Sequence, residues 1–179
     1  AAVFAAFTLK AKVTGQLGPW GGSWGVHALT AIALVGNYIR LTVVPATLLA
    51  DYSAEAFPLV VGPLDPRLLV SLALIGASAA FVGATWARAR VLAFAVAWFF
   101  LALAPVSQII PFHELGADHY VYLPSVGACL AAGIGLARLA DRGRPRLAAA
   151  LLGGALVAFL VRTELRIPDW RDGETLYAA

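Results

Sequence analysis

Charged residues are scarce in this sequence of 179 residues, of which 13% are Asp, Glu, Lys or Arg and 61% are hydrophobic. A soluble domain carries about 25% charged residues. One small core has too little volume for so much apolar surface. The low charge and the mean hydropathy of +0.82 therefore exclude an ordinary soluble domain and predict an integral membrane protein.

Cysteine and methionine are almost absent. Cys129 is the only cysteine, which excludes an internal disulfide; its apolar neighbours predict a small packing residue instead of a nucleophile. Methionine is missing altogether, and the first residues, AAVFAAF, have no basic signal-peptide region. We therefore expect the sequence to be an internal piece of a longer protein.

Motifs for cofactors and metals are also missing. The glycines lie mostly inside apolar runs and form no Walker or dinucleotide-binding pattern. The segment from His113 to His119 reads HELGADH, which lacks the H-E-x-x-H spacing of a zinc helix. We expect no metal and no cofactor. The net charge of +3 does not indicate nucleic acid as a partner, because the arginines collect at the ends of apolar runs.

Five apolar runs are present, and they predict an all-α, polytopic bundle of about five transmembrane helices. The runs cover residues 26–50, 68–87, 91–112, 120–137 and 147–161. Glycine, alanine and serine recur within them, and small residues allow membrane helices to approach closely. The bundle is predicted to occupy residues 1–162. Residues 163–179 are polar and are predicted to form an extracytoplasmic segment.

The first run carries a polar stripe. At 100° per residue, His27, Thr30, Asn37 and Arg40 fall within roughly 140° of arc. Such a stripe must face protein, water or lipid head groups. The alternative is a helix that lies in the membrane interface, with the Arg40 side chain reaching the head groups.

Basic residues predict the orientation of the bundle. They lie at every second boundary between runs, around Lys10 and Lys12, Arg88 and Arg90, and residues 138–146. Basic loops stay in the cytoplasm. The loops 51–66 and 108–119 and the C-terminal tail are therefore predicted to lie on the other side.

The stretch 104–125, APVSQIIPFHELGADHYVYLPS, has the most mixed chemistry in the chain. Its prolines should end the preceding helix. Glu114, Asp118 and His119 then precede Tyr120 and Tyr122. A protonated histidine together with Arg40 suits a phosphate, and tyrosines suit a sugar. The alternative is an ordinary aromatic belt with a solvated loop.

Four sequence elements resemble one family. ADHYVYLPSVG is similar to the signature A-[DE]-R-Y-x-Y-L-P-S-x-G of the transmembrane-and-TPR O-mannosyltransferases and their bacterial relatives, which belong to the GT-C glycosyltransferase class. PVSQIIP, NYIRLTVVPATLLADYS and RTELRIPDWRDGETLY resemble further elements of that family. All four lie in the family's order, from about residue 37 to residue 177.

The resemblance implies a glycosyltransferase in a bacterial inner (plasma) membrane. Such an enzyme moves mannose or a similar sugar from a polyprenyl-phosphate donor to a protein hydroxyl on the non-cytoplasmic side. A downstream tetratricopeptide-repeat (TPR) region would dock the acceptor protein. The alternatives are a non-catalytic membrane anchor that presents a TPR interaction scaffold, and a transporter fragment. The predicted partners are the bilayer, the lipid-linked sugar and the acceptor protein.

The resemblance assigns a phosphate contact to His119, and the chemistry and position of the other residues complete the predicted site. The donor's phosphate and head group would contact a basic and aromatic set: Arg40, His119, Tyr120 and Tyr122. Possible supporting residues are Asp51, Glu114 and Asp118. His119 stands where the signature has arginine, and Gln108 replaces an asparagine. The catalytic carboxylate of GT-C enzymes lies in their first external loop, which we expect before Ala1. The alternative role for Asp51 is that of a turn residue that caps the corner at Tyr52 and Ser53.

Overall fold

The computed structural model describes residues 18–45, 52, 56–111 and 114–171. All regular structure in these ranges is helical, which confirms the predicted all-α class. The five α-helices are α1 (Trp24–Val43), α2 (Pro66–Thr85), α3 (Arg90–Leu103), α4 (Tyr122–Asp141) and α5 (Pro145–Arg166). Short 3-10 turns cover Trp20–Gly22, Ala104–Val106, Asp118–Val121 and Ile167–Trp170.

Among the described residues, four helical segments are long and apolar enough to cross a membrane, and the shorter apolar segment Arg90–Val106 accompanies them. Two of the predicted runs are too long at their C-terminal ends. α1 stops at Val43, because the backbone of Val44 is already non-helical before Pro45, as is usual for a residue that precedes proline. α3 gives way to a 3-10 turn at Ala104 next to Pro105, so the predicted break there is confirmed.

α1 is the central helix of the bundle. Its residues Leu34 and Tyr38 are completely buried. They belong to one core cluster with Leu68 of α2, Leu103 of α3 and Leu115 of the loop before α4. The polar stripe on α1 also faces protein at its first two members, since His27 and Thr30 are 3% and 0% exposed.

α1 and α2 run in the same direction. Near the middle of α1, a Cβ atom on Gly36 would overlap the hydroxyl of Ser71, and this hydroxyl donates a hydrogen bond of 3.1 Å to the carbonyl of Ala33. Seven residues further along both helices, Val43 and Ser78 line the same apolar cleft. The strict alternation expected for successive spans therefore does not hold for this pair.

The connection between α1 and α2 is long enough to return along α1. The Tyr52 N–H donates to the carbonyl of Gly116 at 2.7 Å, and a Cβ on Gly116 would lie 2.8 Å from the Tyr38 hydroxyl. Further on, the Val60 N–H donates to the Thr30 hydroxyl at 2.9 Å. The chain thus passes the level of Tyr38 and then that of Thr30 before α2 begins.

α3 and α4 are antiparallel and are in close contact at Gly127. A Cβ on Gly127 would overlap the carbonyl oxygen of Ala95, and the indole N–H of Trp98 donates to the carbonyl of Leu123 at 3.2 Å. Cys129 is exposed, so the predicted packing role is wrong. Two residues after Gly127 correspond to a 200° rotation, which turns the thiol away from α3.

α5 lies at the outside of the bundle against α4, and Ala148 is its one buried residue in the described part of the chain. It begins and ends further out than the run 147–161, and it continues past position 163 to Arg166. Large apolar side chains such as Leu156 and Leu160 are more than 60% exposed. Such a surface suits contact with lipid.

Candidate functional site

His27 on α1 holds the loop that precedes the signature. The backbone N–H of Trp20 donates to Nδ1 of His27 at 3.3 Å, so the ring proton belongs on Nε2. Nε2 then donates to the carbonyl of Gln108 at 2.7 Å. This buried contact joins residues 81 positions apart and fixes the start of the loop against α1.

Gln108 has an unusual backbone conformation, with φ of 61°. Asparagine is several-fold enriched at such positive φ values among non-glycine residues, which gives a physical reason for the asparagine expected here. The longer side chain of Gln108 has its own use. Its amide donates to the carbonyls of Glu114 and Leu115 and closes the loop on itself.

Asp118 lies at the centre of a polar cluster. The Tyr52 hydroxyl donates to Oδ1 of Asp118 at 2.8 Å, and Nη2 of Arg166 lies 3.9 Å from Oδ2. Burial, followed by the hydrogen bond to Asp118 and its charge, raises the pKa of the Tyr52 phenol well above its usual range. The phenol therefore remains a donor to the carboxylate at physiological pH.

Arg40 borders this cluster from α1. Its Nε and Nη2 donate to Oδ1 of Asn37 at 3.1 Å and 2.9 Å, and the residue is exposed. Its charge opposes part of the rise in the pKa of Tyr52, which shows that the guanidinium lies within electrostatic range of the phenol. Arg40 thus combines a fixed position with access to a ligand.

The signature residues after Asp118 differ in their surroundings. Tyr120 donates from its hydroxyl to Oε2 of Glu114 at 2.9 Å. The exposed His119 ring lies 4.5 Å from the Tyr120 ring, with an interplanar angle of 62°. Tyr122 is 83% exposed at the start of α4. Ligand binding by His119, Tyr120 and Tyr122 stays a prediction.

Sequence reasoning missed Tyr52 and Arg166 as members of this cluster. Both lie inside segments that resemble family elements, NYIRLTVVPATLLADYS and RTELRIPDWRDGETLY. Nothing in either segment alone shows that its residue contacts Asp118. Asp51, a predicted supporting residue, lies outside the described residues, as does His113.

The C-terminal end of α5 is fastened to the same region. Nε of Arg162 donates to the carbonyl of Pro45, just after α1, at 2.9 Å. One turn later on α5, Arg166 faces Asp118. The segment that follows α5 therefore leaves the bundle next to the polar cluster.

The chemistry available is that of a binding site. Arg40 and His119 are basic side chains at the surface, which suits an anionic ligand. The carboxylates of Asp118 and Glu114 each accept a hydrogen bond from a phenol. Carboxylates held in this way suit positioning better than proton abstraction, because a general base must reach the proton of its substrate.

Two curated proteins of Drosophila melanogaster are similar to this chain. Protein O-mannosyl-transferase Tmtc3 is 30% identical over 146 residues, which cover 76% of this chain and 16% of the relative. Protein O-mannosyl-transferase Tmtc2 is 35% identical over 93 residues, which cover 50% of this chain and 10% of the relative. The chain thus spans less than a fifth of either relative. No protein-family model and no solved structure matches it.

Proposed function

We propose that this chain is the donor-binding part of a membrane protein O-glycosyltransferase. The observation that carries the proposal is the similarity to Protein O-mannosyl-transferase Tmtc3 over 76% of the chain. The all-helical membrane bundle and the polar cluster beside the start of α4 and the end of α5 support the same function, because a lipid-linked donor presents its phosphate and sugar at the membrane surface.

In this proposal the donor is a polyprenyl-phosphate-linked sugar, mannose or a similar hexose. Arg40 and His119 bind the phosphate, and Tyr120 and Tyr122 contact the sugar. Asp118 holds Tyr52 and Arg166 in place, and Glu114 holds Tyr120. The bundle would have the GT-C architecture and lie in a bacterial inner membrane, with this site on the non-cytoplasmic side.

The acceptor is a protein hydroxyl, bound through a downstream TPR region. The carboxylate that deprotonates it would come from another part of the full protein. The position of Arg166 beside Asp118 supports this division of labour, since it brings the start of the following segment next to the donor site.

Donor binding tests the proposal. The affinity of the full chain for a short-chain polyprenyl-phosphate mannose is measured by titration calorimetry in detergent. A charged hydrogen bond to phosphate contributes about 1.5–3 kcal/mol, so Arg40→Ala and His119→Ala should each weaken binding roughly tenfold or more. His119→Arg should keep or improve it, because arginine offers a bidentate contact at any pH.

Arg144→Ala is the matched control, since it removes one exposed arginine from the other end of the bundle and should leave donor affinity unchanged. Equal affinities for the parent, His119→Ala and His119→Arg would contradict the assignment of His119. The same affinity for Arg40→Ala as well would favour the alternative function, a membrane anchor that presents a TPR scaffold without binding a donor.

A further inference from the structure

Six arginines lie at the end of the bundle opposite the polar cluster. They are Arg88, Arg90, Arg138, Arg142, Arg144 and Arg146, and all are exposed. Within the described part of the chain, none of these side chains makes a hydrogen bond or an ion pair. The one acidic residue among them is Asp141, which is also exposed. This end therefore carries unneutralised positive charge.

The helix directions place the arginines around the start of α3 and those around the end of α4 on the same side of the bundle. Arg90 begins α3, and Arg138 lies in the last turn of α4. The contact of Gly127 with Ala95 and the hydrogen bond from Trp98 to Leu123 show that α3 and α4 are antiparallel. The start of α3 and the end of α4 consequently point to the same side of the bundle.

The two groups lie at different depths. Since Gly127 packs on Ala95, Arg90 is level with about residue 132 of α4. Arg138 lies six residues beyond that level, or roughly 9 Å along the helix axis. It also follows Gly127 by 11 residues, which is a rotation of about 20°, so it lies on the α3-facing side of α4. α3 begins at Arg90 and does not extend to the level of Arg138, so the side of α4 that carries Arg138 is not covered by α3 there. We call this place the arginine step.

The step is open and lies at the membrane boundary. Arg88 and Arg138 are both exposed, so no other described part of the chain covers these side chains. Trp86 is 55% exposed in the turn that also carries Arg88, and tryptophan is enriched where helices leave the hydrocarbon layer. A ligand in the step therefore has its charged part beside arginines and the rest beside apolar helices.

We propose that this arginine step, with Arg88 on one side and Arg138 on the other, binds the phosphate of an anionic phospholipid. One guanidinium group can donate two parallel hydrogen bonds to the oxygens of a phosphate, which the ammonium group of lysine cannot do. Basic recesses between membrane helices are known to take acidic lipid head groups. The neighbouring Arg142, Arg144 and Arg146 contribute a general attraction for the negatively charged leaflet.

The test is displacement of a fluorescent phosphatidylglycerol from the full chain in mild detergent. Unlabelled phosphatidylglycerol should displace it, and phosphatidylcholine should not. Arg88→Gln with Arg138→Gln should weaken binding about tenfold relative to a control pair, Arg144→Gln with Arg146→Gln, which removes the same charge from the same end outside the step. Arg88→Lys with Arg138→Lys should give an intermediate loss of affinity, because the positive charge remains but the bidentate hydrogen bonds to phosphate are lost.

Three results would overturn the proposal. Equal losses for the step pair and the control pair would leave only a general attraction to negative charge. Displacement by phosphatidylcholine as effective as by phosphatidylglycerol would exclude recognition of an acidic head group. Displacement by inorganic phosphate or a short oligonucleotide at concentrations where phosphatidylglycerol acts would exclude a lipid as the ligand. Thermal unfolding of every variant is the control that tests whether each one is folded.

Discussion

The close contact between α3 and α4 at Gly127 allows a prediction about stability that has a control in the same helix. At Gly127, an added Cβ would overlap the Ala95 carbonyl oxygen and lie 3.1 Å from Cδ1 of Trp98 and 3.2 Å from the backbone nitrogen of Phe99. Two of these three atoms belong to the backbone and cannot rotate away. Gly127→Ala must therefore push α4 away from α3.

The size of the effect follows from two opposing terms. Overpacking a close contact costs about 1–3 kcal/mol, and moving α4 should also strain the bond from Trp98 to Leu123. Alanine in place of glycine favours a helix by up to about 1 kcal/mol. We expect Gly127→Ala to lower the free energy of unfolding by about 1–2 kcal/mol.

Gly133→Ala provides the control, since it makes the same change in the same helix where nothing lies within 4 Å of the new atom. Here the helix preference acts alone, and we expect no loss of stability. The unfolding of both variants in a denaturing detergent is monitored by circular dichroism, and their free energies of unfolding are compared. Gly127→Ala as stable as Gly133→Ala would refute the reasoning.

Two further predictions concern buried and capping hydrogen bonds. Tyr52→Phe should destabilise the fold by about 1.5–3 kcal/mol, because it removes a hydrogen-bond donor to a carboxylate. In a double-mutant cycle with Asp118→Asn, the losses in unfolding free energy should be less than additive. Strict additivity would contradict the contact between the two side chains. The hydrogen bond from Arg67 holds the pKa of Asp65, the N-cap residue of α2, below its ordinary value. This carboxylate is stabilising above that ordinary value of 3.8, and its contribution is lost as the pH falls through the lowered folded pKa. Unfolding between pH 7 and pH 3 should show an acid loss that Asp65→Asn diminishes; an unchanged profile would argue against it.

Local sequence patterns were sufficient for the helices and for part of the site. Apolar runs longer than a membrane is thick can satisfy their backbone hydrogen bonds only as helices in lipid, so the all-α class followed from composition and run length. Pro105 marked the end of α3 for an equally local reason, the loss of a backbone donor. The polar stripe with His27 and Thr30 followed from the helical period.

The tertiary structure decided the direction of α1 relative to α2. The alternation of basic clusters had predicted antiparallel neighbours. Gly36 and Ser71 instead pack in a parallel pair, and the connection runs back past Gly116 to make this possible. A pattern of charges at helix ends carries no information on such a return of the chain alongside a helix.

The tertiary structure also decided which residues surround Asp118. The sequence by itself determined that acids, tyrosines and a histidine collect between two membrane helices, because such residues are excluded from lipid-facing positions. Only the fold brings in Tyr52, which is 66 residues away from Asp118, and Arg166 from the end of α5. Local periodicity fixes the face of a helix on which a residue lies, whereas contacts between distant segments depend on how the helices pack.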